Sequence, residues 1–159
     1  MNVIVIGGGA SGLMAAITAA KGGHSVTLLE PQPRVGRKLL STGNGRCNLT
    51  NLNMGLPYYH GQDAAFIRPA FEALSLDATL DFFHGLGLLT TAEDNGRVYP
   101  YSDQAGSVVD VLRFAVDAAG VTTRAGFEVT GLKKTKRGFT VLSAEETLPA
   151  CLLYTSPSP

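Results

Sequence analysis

The sequence has no tryptophan and two cysteines, Cys47 and Cys151. Two thiols so far apart do not make the disulfide framework of a small secreted scaffold. Charge is scarce as well: Asp, Glu, Lys and Arg make up 16% of the chain, where a globular domain carries about 25%. Basic and acidic residues balance at 13 each, so the formal charge is zero. A neutral chain argues against nucleic acid as the main partner, because phosphate-backbone binding needs a basic face; a local basic groove is still compatible with neutrality. Long apolar runs are missing too. The first twenty residues are apolar, but Gly7, Gly8, Gly9 and Gly12 interrupt them and no basic segment precedes them. They read neither as a membrane span nor as a secretion signal. The histidines, His24, His60 and His84, are scattered without metal-ligand spacing. The expectation is a cytoplasmic protein with no membrane segment and no metal centre.

Apolar residues and glycine are abundant. The 159 residues are 45% hydrophobic with a mean hydropathy of +0.13, enough for the core of one ordinary domain or of part of a larger one. Glycine fills 19 positions, well above the average of about 7%, and it clusters where backbone must approach something closely.

Asn2–Ile6, NVIVI, is a short β-branched run of the kind buried on both faces of a parallel sheet. GGGASG follows, then LMAAITAAKGG, which predicts a helix closed by Gly22 and Gly23. His24–Glu30, HSVTLLE, predicts a second buried strand, and the whole has the size of a βαβ crossover. Beyond Pro31 and Pro33, AAFIRPAFEAL and LDATLDFFHGLG predict two short helices, the second running from about Asp77 to Gly85 or Gly87. LLTTAEDNGRVYP predicts a hairpin turning at Asn95-Gly96. SVVDVLRFAVDAAG predicts a helix stopped at Gly120, and GFEVTGLKKTKRGFTVLSA two strands joined by a basic, exposed turn.

The spacing Gly7-x-Gly9-x-x-Gly12 is weak evidence alone. Here it follows a strand, opens a helix and is completed by Glu30 at the end of the next strand, which is the context a dinucleotide fingerprint requires. Gly7 permits the sharp exit from the strand, Gly9 removes a side chain that would block a pyrophosphate, and Gly12 lets helix and sheet pack closely. Ala10 and Ser11 stand at the helix start, where free N–H groups and the helix dipole favour an anion. Glu30 can accept hydrogen bonds from a ribose diol. FAD and NAD(P) both remain open on these residues. Glu30 disfavours a 2′-phosphate, and nearby Arg34 and Arg37 weaken that argument.

A plain NAD-binding unit would continue from Glu30 into another helix. This chain instead carries GRKLLSTGNGRCNLTN, Gly36–Asn51. Gly43 and Gly45 can take positive φ, and such residues can aim successive N–H groups at one anion. Arg37, Lys38 and Arg46 offer cations to a diphosphate, while Asn44 and Asn48 suit a heterocycle edge or a ribityl chain. Cys47, flanked by Arg46, has the setting of a reactive thiol. No second cysteine stands nearby, so a small side chain packing against the cofactor is the expected role. Tyr99 and Tyr101 are expected in hairpin packing, and no general acid or base can be named.

IGGGASGLMAAITAA, LLEPQPRVGRKLLSTGNGRCNLTN and NGRVYPYSDQAGSVVDVL together resemble the bacterial FAD-dependent oxidoreductases described as aminoacetone oxidase-like or BaiN-like. The resemblance covers residues 2–150. It implies an α/β, Rossmann-like FAD-binding domain of glutathione-reductase type, here truncated and with an inserted β-hairpin. It implies FAD at Gly7–Gly12 with Glu30 on the adenosine ribose, and Arg37, Lys38 and the Arg46–Asn48 stretch along the diphosphate and flavin. Val129, in FEVTG, falls where main-chain groups of such folds grip the adenine edge. The implied activity is hydride transfer between flavin and a nicotinamide, NAD(P)H, or a small organic substrate. The alternatives are an NAD(P)-binding dehydrogenase domain and a catalytically inactive dinucleotide-binding fragment.

The end of the chain, CLLYTSPSP, is abrupt. It can be back-translated as TGT-CTC-TTA-TAC-ACA-TCT-CCG-AGC-CCA, which resembles the end of a transposon-type sequencing adapter. The expected organisation is therefore residues 1–150 as the N-terminal part of an FAD/NAD(P)-binding domain and 151–159 as a non-native tail. A chain of that kind lacks the flavin's second wall and is expected to turn over no substrate by itself.

Overall fold

NVIVI forms β1 (Asn2–Ile6) in the computed structural model, which describes residues 1–155. The following elements are α1 (Ala10–Lys21), β2 (Ser25–Glu30), β3 (Thr50–Asn51), α2 (Arg68–Ala73), α3 (Leu76–Gly85), β4 (Thr90–Ala92), β5 (Arg97–Pro100) and α4 (Ala105–Ala118). After them come β6 (Thr122–Ala125), β7 (Gly131–Thr135), β8 (Gly138–Leu142), β9 (Thr147–Ala150) and β10 (Leu152–Thr155). The chain divides into two compact units, Met1–Leu40 with Leu112 onward, and Ser41–Val111; the boundary at Leu112 falls within α4.

The first unit is built on a four-stranded parallel sheet in the order β10-β1-β2-β6. Val3, Ile4 and Val5 of β1 are buried, as are Val26, Leu28 and Leu29 of β2. A strand covered on both faces needs apolar residues at successive positions, and these runs supply them. α1 turns Leu13, Ala16 and Ile17 inward. It stops where the sequence predicts, with Gly22 N–H on Thr18 O and Gly23 at φ +80°. The expected strand at His24 begins one residue later, at Ser25.

β6 is a departure from expectation. Its TTRA sequence is polar and largely exposed, so no apolar run marks it; its place comes from pairing Thr122–Ala125 along Thr27–Glu30. An antiparallel meander, β7-β8-β9, completes this unit. The basic turn between β7 and β8 is exposed as expected, while β9 was not anticipated. Ile4, Leu29, Phe127, Val141 and Ala150 make one buried cluster that joins meander and sheet. Arg124 adds a second join: its Nη2 donates to Glu146 Oε1 at 2.5 Å, and its guanidinium lies 4.5 Å from the Phe127 ring centre. Of the tail beginning at Cys151, Leu152–Thr155 pair with Val3–Ile6 along β1, and 156–159 lie outside the described residues.

The second unit holds a three-stranded antiparallel sheet, β3-β5-β4. The predicted hairpin is β4–β5, with a turn longer than two residues: Gly96 N–H donates to Glu93 O and Glu93 N–H to Arg97 O, with Gly96 at φ +81°. The asparagine-rich end of the long loop adds β3 as a third strand, Thr50 facing Val98. The helices are where they were expected, the first of them preceded by a turn of 3-10 helix, Ala64–Ile67. α3 starts on a Ser75 cap whose hydroxyl accepts from Ala78 N–H. His84 Nε2 lies 2.9 Å from Thr90 Oγ1, within hydrogen-bond distance. Among the described residues no helix is long and apolar enough to cross a membrane, and no cluster of His, Cys, Asp and Glu could hold a metal ion.

A candidate dinucleotide site at the first strand–helix turn

Gly7 leaves β1 at φ +100°, and its N–H donates to Leu29 O at 2.7 Å, which ties the turn to β2. Gly9 caps α1 with no side chain of its own, its carbonyl accepting from Leu13 N–H at 2.9 Å. Gly12 has the sharpest requirement: a Cβ there would lie 1.8 Å from the Gly7 carbonyl oxygen. Backbone cannot yield that distance, so the close pass of helix over strand exists only with glycine. No acidic residue stands in the first turn of α1, so no carboxylate of the helix competes for the positive end of its dipole. Ala10 and Ser11 open the helix there.

Glu30 is held beside this turn. Its Oε2 accepts from Gly8 N–H at 2.6 Å and its Oε1 from Gln32 N–H at 2.9 Å. A carboxylate has about four acceptor positions, so two main-chain bonds fix its direction and leave capacity for hydroxyl donors. Val35 closes over the turn: a Cβ on Gly8 would meet Val35 Cγ1 at 2.6 Å, and Gly36 N–H donates to Gly8 O at 2.7 Å. Gly8 and Val35 thus shape the turn, and the Gly-x-Gly-x-x-Gly spacing marks neither of them. Phe127 N–H donates to Glu30 O and Gly126 N–H to Gln32 O, both at 2.9 Å. The segment carrying Val129 therefore lies along the end of β2, with Val129 packed against the Ile4–Leu29 cluster. The first unit thus brings together Gly7–Gly12, Glu30 and the Val129 segment. Arg37 bends back so that Nη1 donates to Gln32 Oε1 at 2.5 Å, and Lys38 is exposed.

Arg46, Cys47 and Asn48 belong to the second unit. Cys47 is a buried free thiol at φ +62°, in keeping with a packing role. Asn48 is exposed. Arg46 donates from Nη2 to Glu93 Oε1 at 2.9 Å and from Nε to Asp103 Oδ1, and it stacks 3.9 Å from the ring centre of Tyr99. Its hydrogen bond to Asp103, then that to Glu93, raises its pKa further above the ordinary arginine value. No sequence signal joins these residues, because Glu93 and Asp103 lie 47 and 57 positions away.

Residues 1–153 match the family model described as the HI0933-like protein Rossmann domain. The chain is 43% identical over 153 residues to the 3-dehydro-bile acid delta(4,6)-reductase of Clostridium scindens, covering 94% of this chain and 37% of that protein. It is 31% identical over 140 residues to the ribosomal RNA dihydrouridine synthase of Escherichia coli, covering 88% of this chain and 35% of that one. The chain thus spans little more than a third of the length of these curated relatives. Among solved structures, THI4 of Thermovibrio ammonificans superposes with a TM-score of 0.63 over 97% of this chain and 55% of that one, at 16% identity. Similarity that remote is a likeness of fold, and it agrees with the parallel α/β sheet described above. The glycine turn, the anchored Glu30 and the match over residues 1–153 lead to one conclusion: the chain belongs to the HI0933-like protein Rossmann domain family.

Proposed function

We propose that this chain is the FAD-binding part of a flavin-dependent oxidoreductase that transfers hydride between flavin and a nicotinamide or a small organic molecule. The observation that carries this is the cradle at the first turn, where Gly12 passes over the Gly7 carbonyl and Glu30 is held by Gly8 N–H. The open N-terminus of α1 suits the diphosphate, Glu30 suits the adenosine ribose, and the Val129 main chain suits the adenine edge. By the family resemblance, Arg37, Lys38 and the Arg46–Asn48 stretch, Cys47 included, are assigned together to the diphosphate and flavin side. FAD, when bound, supplies the hydride-accepting ring, and the chain's residues hold and orient it. NAD(P)H is the proposed reductant and the address is cytoplasmic.

The proposed substrate is a small molecule, supported by the zero formal charge and by the bile acid reductase among the relatives. A nucleic-acid substrate is the alternative that the dihydrouridine synthase favours; retention of ribosomal RNA by the chain in a gel-shift assay would select it. The 159-residue chain itself is proposed to turn over no substrate, since it spans little more than a third of the length of its curated relatives. Steady NADH consumption by the purified, FAD-loaded chain would contradict that. Residues 151–159 remain proposed as adapter-derived, and sequencing the gene past the Ala150 codon tests it. Purification tests the cofactor: yellow protein with flavin absorption supports the proposal, whereas a folded, colourless chain that binds NADH but not FAD selects a nicotinamide-binding domain.

A further inference from the structure

The loop between β2 and β3 holds an unusual backbone. Gly43, Asn44, Gly45 and Cys47 have φ of +55°, +57°, +83° and +62°. Asparagine and cysteine seldom enter the left-handed region, and such residues persist when their surroundings over-determine them. The surroundings are visible here. Arg46 N–H donates to Gly43 O at 3.2 Å, Cys47 N–H to Thr42 O at 3.0 Å, and Leu49 N–H to Val98 O of β5 at 2.8 Å. The Arg46 guanidinium then reaches across to Glu93, after β4, and to Asp103, after β5. Beneath it lies the buried ring of Tyr99, whose Cε1 is 3.3 Å from where a Cβ on Gly43 would stand. One side chain therefore fastens the loop to both arms of the hairpin.

This arrangement does not suit Arg46 to hold a diphosphate. One guanidinium faced by two carboxylates makes a cluster of net negative charge, which repels an anion. The planar fork and the ring stack are the features that separate arginine from lysine, and both are used internally here. We propose that Arg46 is a positioning residue: braced by Glu93, Asp103 and Tyr99, it fixes the left-handed Gly43–Cys47 backbone and with it the exposed Asn44 and Asn48 side chains, the groups of this loop suited to a flavin edge. The proposal rests on the FAD assignment above and gives Arg46 a different part from the diphosphate ligand that the loop sequence suggests: it supports its neighbours.

Removing the carboxylates separates the two roles. A guanidinium that binds the cofactor directly is released by E93Q with D103N, and FAD then binds as tightly as before or more tightly. A bracing guanidinium loses its anchors, so the double variant behaves like R46Q. The experiment measures FAD affinity and the flavin absorption spectrum for the wild-type chain, R46Q, R46K and E93Q/D103N. It also follows hydrogen exchange over residues 42–49 in the FAD-free chain. Expected are FAD binding about tenfold weaker in both R46Q and the double variant, a flavin band displaced in the same direction in both, partial recovery in R46K, and faster loop exchange in both. Should R46Q fail to fold, D103N alone carries the comparison. Unchanged or tighter FAD binding by E93Q/D103N overturns the proposal, as does loop exchange that the substitutions leave unchanged. Failure of the wild-type chain to bind FAD refutes the cofactor assignment instead. In that case loop exchange alone decides: faster exchange in the variants sustains the brace, and unchanged exchange overturns it.

Discussion

At the scale of single residues, the first turn works by what its side chains leave out. Gly12 faces the Gly7 carbonyl and Gly8 faces Val35, and the two contacts predict different behaviour. Against Gly8 the obstacle is a side chain, so Gly8→Ala should cost about 1–3 kcal/mol through overpacking, and Val35→Ala in the same chain should recover much of it. Urea midpoints of the single and double variants check this; equal loss in both would show that the obstacle is backbone. Glu30→Gln leaves Gly8 N–H or Gln32 N–H facing an amide NH2 in place of an oxygen. A hydrogen bond to a charged acceptor contributes about 1.5–3 kcal/mol, and FAD affinity measured by flavin fluorescence should fall accordingly, with ADP affinity falling alongside. The turn geometry at Gly7 and Gly12 and the place of Glu30 at the end of β2 were legible in the sequence because spacing and position along a strand carry them. The contacts of Val35, Glu93 and Asp103 were not, because each depends on a partner that only the folded chain brings near.

At the scale of elements, apolar periodicity located what is buried and missed what is not. β1, β2, α1, α4 and the β4–β5 hairpin carry their own pattern, and the structure has them within a few residues of expectation. β6 is polar, β3 is two residues long, and their identity as strands lies in the neighbours they pair with. The Arg124–Glu146 pair between β6 and the meander shows how such exposed elements are held. The hydrogen bond from Arg124 lowers the Glu146 carboxyl below its ordinary 4.5. A carboxyl depressed in the folded state stabilises the fold above its unfolded value and loses that contribution as pH falls through the folded one. Wild type should therefore exceed Glu146→Gln in urea midpoint at neutral pH, and the gap should close as the solution is acidified below about 4.5. A gap independent of pH would assign the effect to packing. Because the pair is largely exposed, salt should narrow the difference as well.

At the scale of the whole molecule, the family follows from one supersecondary unit and a loop. The strand–glycine turn–helix–strand unit specifies a dinucleotide-binding architecture, and the long segment after β2 sets this chain apart from a plain nicotinamide-binding domain. Both were legible because glycines required by backbone contact cannot be disguised by other residues. FAD binding is where the account stands most exposed. Titrating FAD into the 159-residue chain and into its Gly12→Val variant, with flavin fluorescence and circular dichroism followed together, tests it most directly. The account predicts saturable one-to-one binding by the wild-type chain and none by the folded Gly12→Val chain. No saturation by folded wild type, or equal binding by the variant, would contradict it.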